Sequence, residues 1–168
     1  MLCVIAKLNE EARQELMRVQ DVVETFGLER RHLHGHITLA TFVRGSEVEL
    51  IAHCKEELRG LQPFLVRYGG IGEFTDTCIV VALLEKTPEL LSVQRMVTKG
   101  HDEMLDQWTH NESWQPHTTL VHQPGMKLER IAEAMQTKFK PFEAWIEWIE
   151  FSRVTDNGYV IVDQVELK

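Results

Sequence analysis

No apolar run in this 168-residue sequence approaches the roughly 20 residues that a membrane-spanning helix needs, so no membrane segment is expected. Met1 to Lys7 carry no basic leader and are too short for a secretory signal; they read as an opening strand. Cysteine is scarce. Cys3, Cys54 and Cys78 form no C-x-x-C pair and are odd in number, which speaks against a disulfide framework. They read as small buried apolar residues in a reducing cytoplasm. Basic clusters are missing too: 18 Lys and Arg stand against 26 Asp and Glu, for a formal net charge of −8. A long duplex nucleic acid favours a basic surface, so no such partner is expected. A small phosphorylated ligand stays compatible, because a pocket can be locally positive on an acidic protein. Hydrophobic residues make up 43%, enough for a folded chain of one domain's length.

Apolar periodicity marks four amphipathic helices. Their stripes are Ala12, Leu16, Val19, Val23 and Phe26; Val48, Ile51, Lys55 (by its aliphatic stem), Leu58 and Leu61; Leu90, Val93, Val97, His101, Met104 and Trp108; and Leu128, Ile131, Met135 and Phe139. Asn9, Ser46 with Glu49, and Thr87-Pro88 supply capping chemistry at three starts. Strands are expected over 2–8, 36–43, 64–73, 78–84, 117–122, 142–152 and 159–167, with Asp156-Asn157-Gly158 as a hairpin turn. Strands alternating with helices imply a layered α/β or α+β fold.

The chain also repeats itself. Leu2 to Leu8, a helix, then His36-Ile37-Thr38-Leu39 matches Cys78 to Leu84, a helix, then His117-Thr118-Thr119-Leu120. The histidines are 117 − 36 = 81 positions apart, about half the chain. Two copies, approximately 1–76 and 77–168, would pack as pseudo-symmetric lobes around a central cleft.

Side chains alternate along a strand, so His36 and Thr38 share a face, as do His117 and Thr119. Ile37, Leu39 and Leu120 turn to the other face, toward a core. Two imidazoles and two hydroxyls around one space suit phosphodiester cleavage. A neutral imidazole takes the proton of the attacking oxygen, and a protonated one gives a proton to the leaving oxygen. Histidine's ordinary pKa near 6.5 lets both forms coexist. The hydroxyls donate to the non-bridging oxygens, where charge builds. No metal or other cofactor is required. One His-x-Thr in a strand is an ordinary half-buried pattern; two at matching points of a repeat are hard to obtain by chance.

On these residues the chain resembles the two-histidine (2H) phosphoesterase superfamily, which includes 2′-5′ RNA ligase-like proteins and cyclic nucleotide phosphodiesterases. Pro116 also fits that pattern, whereas Gly35 stands where the family often has proline. The resemblance implies a two-lobed α+β fold with antiparallel-rich sheet, outer helices and a central cleft. It implies His36 and His117 as acid–base pair and Thr38 and Thr119 as phosphate contacts. It further implies hydrolysis of 2′,3′-cyclic phosphates or 2′-5′ phosphodiesters, with 2′-5′ ligation as the reverse reaction. The partner would be a small phosphorylated substrate, a cyclic nucleotide or an RNA terminus.

Other assignments remain open on sequence. Phe42 and Trp114, near the motifs, are candidate stacking residues for a base, although ordinary packing explains either. His34 is a candidate for the cleft entrance. His32, His34 and His36 alternate, so a metal-dependent hydrolase using His34, His36 and His117 is a rival. A binder that grips phosphate without turnover is another. Arg44 and Arg153 are further phosphate-contact candidates. The pattern is silent on oligomeric state.

Overall fold

The computed structural model describes residues 1–30, 35–155 and 158–168. Among the described residues, four α-helices pack on a seven-stranded antiparallel sheet, an α+β fold as expected. The strands are β1 (Leu2–Leu8), β2 (His36–Phe42), β3 (Phe64–Phe74), β4 (Ile79–Leu84), β5 (His117–His122), β6 (Phe142–Thr155) and β7 (Gly158–Glu166). The helices are α1 (Glu10–Gln20), α2 (Glu47–Glu57), α3 (Pro88–Thr98) and α4 (Glu129–Lys138). Three starts are capped as the sequence suggests. The side-chain oxygens of Asn9, Ser46 and Thr87 accept from the backbone N–H of Ala12, Glu49 and Leu90 at 3.2, 3.4 and 3.3 Å.

The strand order is β2-β1-β6-β3-β4-β5, with β7 also on β6. This order reads the same when β1, β2 and β3 are exchanged with β4, β5 and β6. The pairing of β3 with β6 lies at its centre, from Phe64↔Ile146 to Tyr68↔Phe142. β6 is long enough to serve two neighbours on one edge. Its first part pairs with β3, and Trp148 to Thr155 pair with β7. Thr155 lies opposite Gly158. Of the expected turn residues, Asp156 and Asn157 lie outside the described residues.

The β1–β2 and β4–β5 pairs break register at equivalent places. Thr38 faces Ile5 and Ala40 faces Val4, so Leu39 is the extra residue of a bulge. Thr119 faces Val81 and Val121 faces Val80, so Leu120 is extra in the same way. Each bulge directly follows a His-x-Thr, bends its strand and hands a leucine to the core.

Two helical stripes differ from expectation. α3 ends at Thr98, because Gly100 adopts φ +72° and breaks the helix. Trp108 is therefore not on its apolar face and is 53% exposed. On α2 the buried residues are Leu50 and Cys54, followed by Leu58, while Val48 is 77% exposed. The helix carries two apolar stripes, and packing against α3 selects the one with Cys54, whose Sγ lies 3.5 Å from the Val97 carbonyl. Lys55 instead turns to β7 and pairs with Asp163 at 2.5 Å.

Candidate functional site

Both motif strands alternate in the same way. His36 and Thr38 are half-buried while Ile37 and Leu39 are fully buried. His117 and Thr119 are half-buried while Thr118 and Leu120 are buried. The turn into β2 requires Gly35, which has φ +50°. A Cβ there would also meet Arg13 Cγ at 3.0 Å, so proline, with its fixed negative φ, is excluded and any other side chain is strained.

β2 and β5 end the sheet on opposite sides, yet side chains tie them together. Thr118 Oγ1 donates to the His36 carbonyl at 2.9 Å. The same hydroxyl lies 2.7 Å from the Tyr68 hydroxyl in the core. The Trp114 indole N–H donates to the Thr38 carbonyl at 3.0 Å. Further along β2, Asp106 N–H donates to the Thr41 carbonyl at 2.9 Å, and Thr41 N–H donates to Thr109 Oγ1 at 3.0 Å. These bonds bring the two His-x-Thr segments side by side.

Each imidazole meets an aromatic ring edge. His36 lies 5.5 Å from the Tyr159 ring at 74°, and His117 lies 5.1 Å from the Phe74 ring at 86°. His117 Nδ1 is 2.7 Å from the Gln115 carbonyl. A carbonyl only accepts, so Nδ1 carries the proton and Nε2 holds the lone pair when the ring is neutral. Desolvation holds the His117 pKa below its ordinary value, partly offset by this hydrogen bond.

Two stacking candidates are corrected. Phe42 is 1% exposed, with its ring edge-on to His101 at 6.2 Å, and Trp114 is 3% exposed. The bulge after Thr38 re-aims β2 and sends Phe42 into the core. Trp114 serves as the tie to β2. Neither offers a face to a base. Arg44 lies against Glu103 and donates to its carbonyl at 2.6 Å, and Arg153 forks onto Glu47 at 2.6 and 3.0 Å. Both are engaged away from the motifs. His32 and His34 lie outside the described residues, and with them the metal-ligand set that includes His34. A groove of about 650 Å³ runs between the end of α2 and the start of α3, past Leu61, Pro63, Pro88 and Met96; neither motif histidine lines it.

Four neighbours of the motifs were not singled out from sequence: Thr118, Tyr159, Phe74 and Lys7. Only Lys7 left a local signal, a charge in an otherwise apolar strand. It pairs directly across from His36 in register.

An open antiparallel sheet with outer helices and two symmetry-placed His-x-Thr strands defines the two-histidine phosphoesterase fold. The model of the 2′-5′ RNA ligase superfamily matches residues 8–158, and the chain belongs to that family of phosphoesterases. No curated relative matches it in sequence. Among solved structures it is similar to E. coli LigT without ligand, at TM-score 0.66 and 14% identity, covering 99% of this chain and 96% of that one. It is similar to E. coli LigT complexed with NADP+ at TM-score 0.68 and 15% identity, with the same coverage. Usb1 of Kluyveromyces marxianus superposes at TM-score 0.54 and 13% identity, over 99% and 97%.

Proposed function

We propose that the protein is a metal-independent phosphodiesterase that opens 2′,3′-cyclic phosphates or cleaves 2′-5′ phosphodiesters, with His36 and His117 as acid and base. The expected lobes of residues 1–76 and 77–168 exchange one strand each, so the two sides of the sheet are β2-β1-β6 and β3-β4-β5, and each contributes one His-x-Thr to a shared cleft. The observation that carries this reading is the hydrogen bond from Thr118 to the His36 carbonyl, which supports convergence of the two motifs on one phosphate. Thr38 and Thr119 donate to its non-bridging oxygens. His117, held neutral by burial with its lone pair on Nε2, takes the proton of the attacking oxygen. His36 then protonates the leaving oxygen. Joining RNA ends through a 2′-5′ bond is the same chemistry reversed, and hydrolysis dominates in water.

E. coli LigT has been crystallised with 3′-AMP and with phosphate, ligands of the size this site would take. The free thiols Cys3 and Cys54 are buried, and burial pushes Cys54 up to about 12; inert thiols fit a reducing cytoplasm.

The test is incubation with 2′,3′-cyclic nucleotides and 2′-5′ dinucleotides in EDTA. Turnover with a bell-shaped pH profile is expected. Turnover abolished by the chelator would replace the mechanism with a metal-dependent one. Saturable binding without turnover would make the protein a phosphate binder.

A further inference from the structure

The sheet carries a cation directly beside one motif histidine. β1 runs between β2 and β6, and within it only Lys7 is exposed. Lysine is an uncommon choice in an interior strand. The second half places Leu83 at the matching position, directly across from His117. Lys7 lies across from His36 on one side and Trp148 on the other. Cross-strand partners share a face, so its ammonium emerges on the His36 side of the sheet.

Among the described residues, it pairs with Glu150, at 3.1 Å. That pair is lopsided: the Glu150 side chain is 10% exposed and Lys7 45%. An ammonium has three donors, and this contact occupies one. The nearly buried carboxylate would repel an anionic substrate. Lys7 neutralises it and still presents N–H donors to the cleft. On a protein of net charge −8, the remaining ammonium donors of this neutralised pair are what an anion would find beside His36.

We propose that Lys7 is an anion-recognising subsite that takes a second phosphate of the substrate, one other than the phosphate held between the two motifs. This rests on the reading of the His36 face as the phosphate site. It makes the cleft directional: the more highly phosphorylated end lies over Lys7, and the apolar end lies toward Leu83 and Phe74. Substrates with an additional phosphate are then favoured over simple cyclic mononucleotides.

Calorimetric titration with adenosine 3′,5′-bisphosphate and with 3′-AMP compares two phosphates with one, without requiring turnover. The native protein is expected to prefer the bisphosphate by about tenfold, the worth of a charge-assisted hydrogen bond. Lys7→Met alone would strand the Glu150 carboxylate, so the variant is Lys7→Met with Glu150→Gln. In it the ratio should fall to near one, while Lys7→Arg should keep it. Equal affinities in the native protein, or a preference that survives in the double variant, would overturn the subsite. Hydrolysis is scored separately on a 2′,3′-cyclic nucleotide. Turnover without a bisphosphate preference sinks Lys7 alone. A preference that Lys7 controls, without turnover, sinks the catalytic reading and leaves the anion subsite standing.

Discussion

The two halves share a strand order and a bulge but differ in what surrounds each histidine. His36 is flanked by Lys7 in register and by Tyr159, a half-exposed ring with a hydroxyl. His117 is flanked by Leu83 and Phe74, and desolvation lowers its pKa. Duplication therefore supplied two equivalent scaffolds, and substitution at neighbouring positions made them unlike. An acid–base pair needs such inequality, because two imidazoles in identical settings would share one preferred protonation state. The polar half favours an anionic ligand, and the apolar half favours a neutral ring.

The largest expected effects come from removing either half's imidazole. His36→Ala and His117→Ala should each lower kcat/KM on a 2′,3′-cyclic nucleotide by about two to four orders of magnitude. Full activity in one of them would mean that the halves do not act as a pair. Next is the seam between them. Thr118→Val keeps the shape but deprives the His36 carbonyl and the Tyr68 hydroxyl of a partner. A loss of about 1–3 kcal/mol in denaturant unfolding is expected, with most of it restored in Thr118→Ser. An unchanged Thr118→Val protein would show that the seam is held elsewhere.

A smaller change sharpens the comparison on the apolar side. A Cβ at Gly72 would lie 2.8 Å from Leu83 Cδ1, so Gly72→Ala must displace the leucine opposite His117. About 1 kcal/mol of destabilisation is expected, since the flexible end of Leu83 can move. The His117 ring should become wetter, and its pKa should rise toward the ordinary value in an NMR titration. The smallest effect is the pH dependence of stability. Because the folded state holds the His117 pKa below that of the unfolded chain, the unfolded chain binds more protons between the two values. Stability should therefore fall as pH drops below about 6.5 toward the folded pKa. His117→Gln should flatten that slope in chemical denaturation; an unaltered slope would remove His117 as its source.

Much of the fold was legible because it rests on local periodicity. The strand expected over 117–122 matches β5, and the others agree within a few residues. The burial alternation around His36 and His117 followed from the two-residue period of a strand. The face of α2 was not legible, since Val48 and Leu50 are equally apolar and only the position of α3 chooses between them. Simple alternation along β2 puts Phe42 on the His36 face, and the bulge at Leu39 breaks that count. No short window of sequence encodes a bulge, because it depends on how two separate strands register.

Residue types and their spacing by themselves determined the elements, the duplicated His-x-Thr pair and the class of chemistry those side chains suit. Those properties are local, or repeat at a fixed period, and so survive in one dimension. Tertiary structure alone decided that Thr118 reaches the His36 carbonyl, that Trp114 is a buried tie, and that Lys7 and Leu83 occupy matching places beside the two histidines. Each depends on strands distant in sequence pairing in one register, and only the folded chain sets that register.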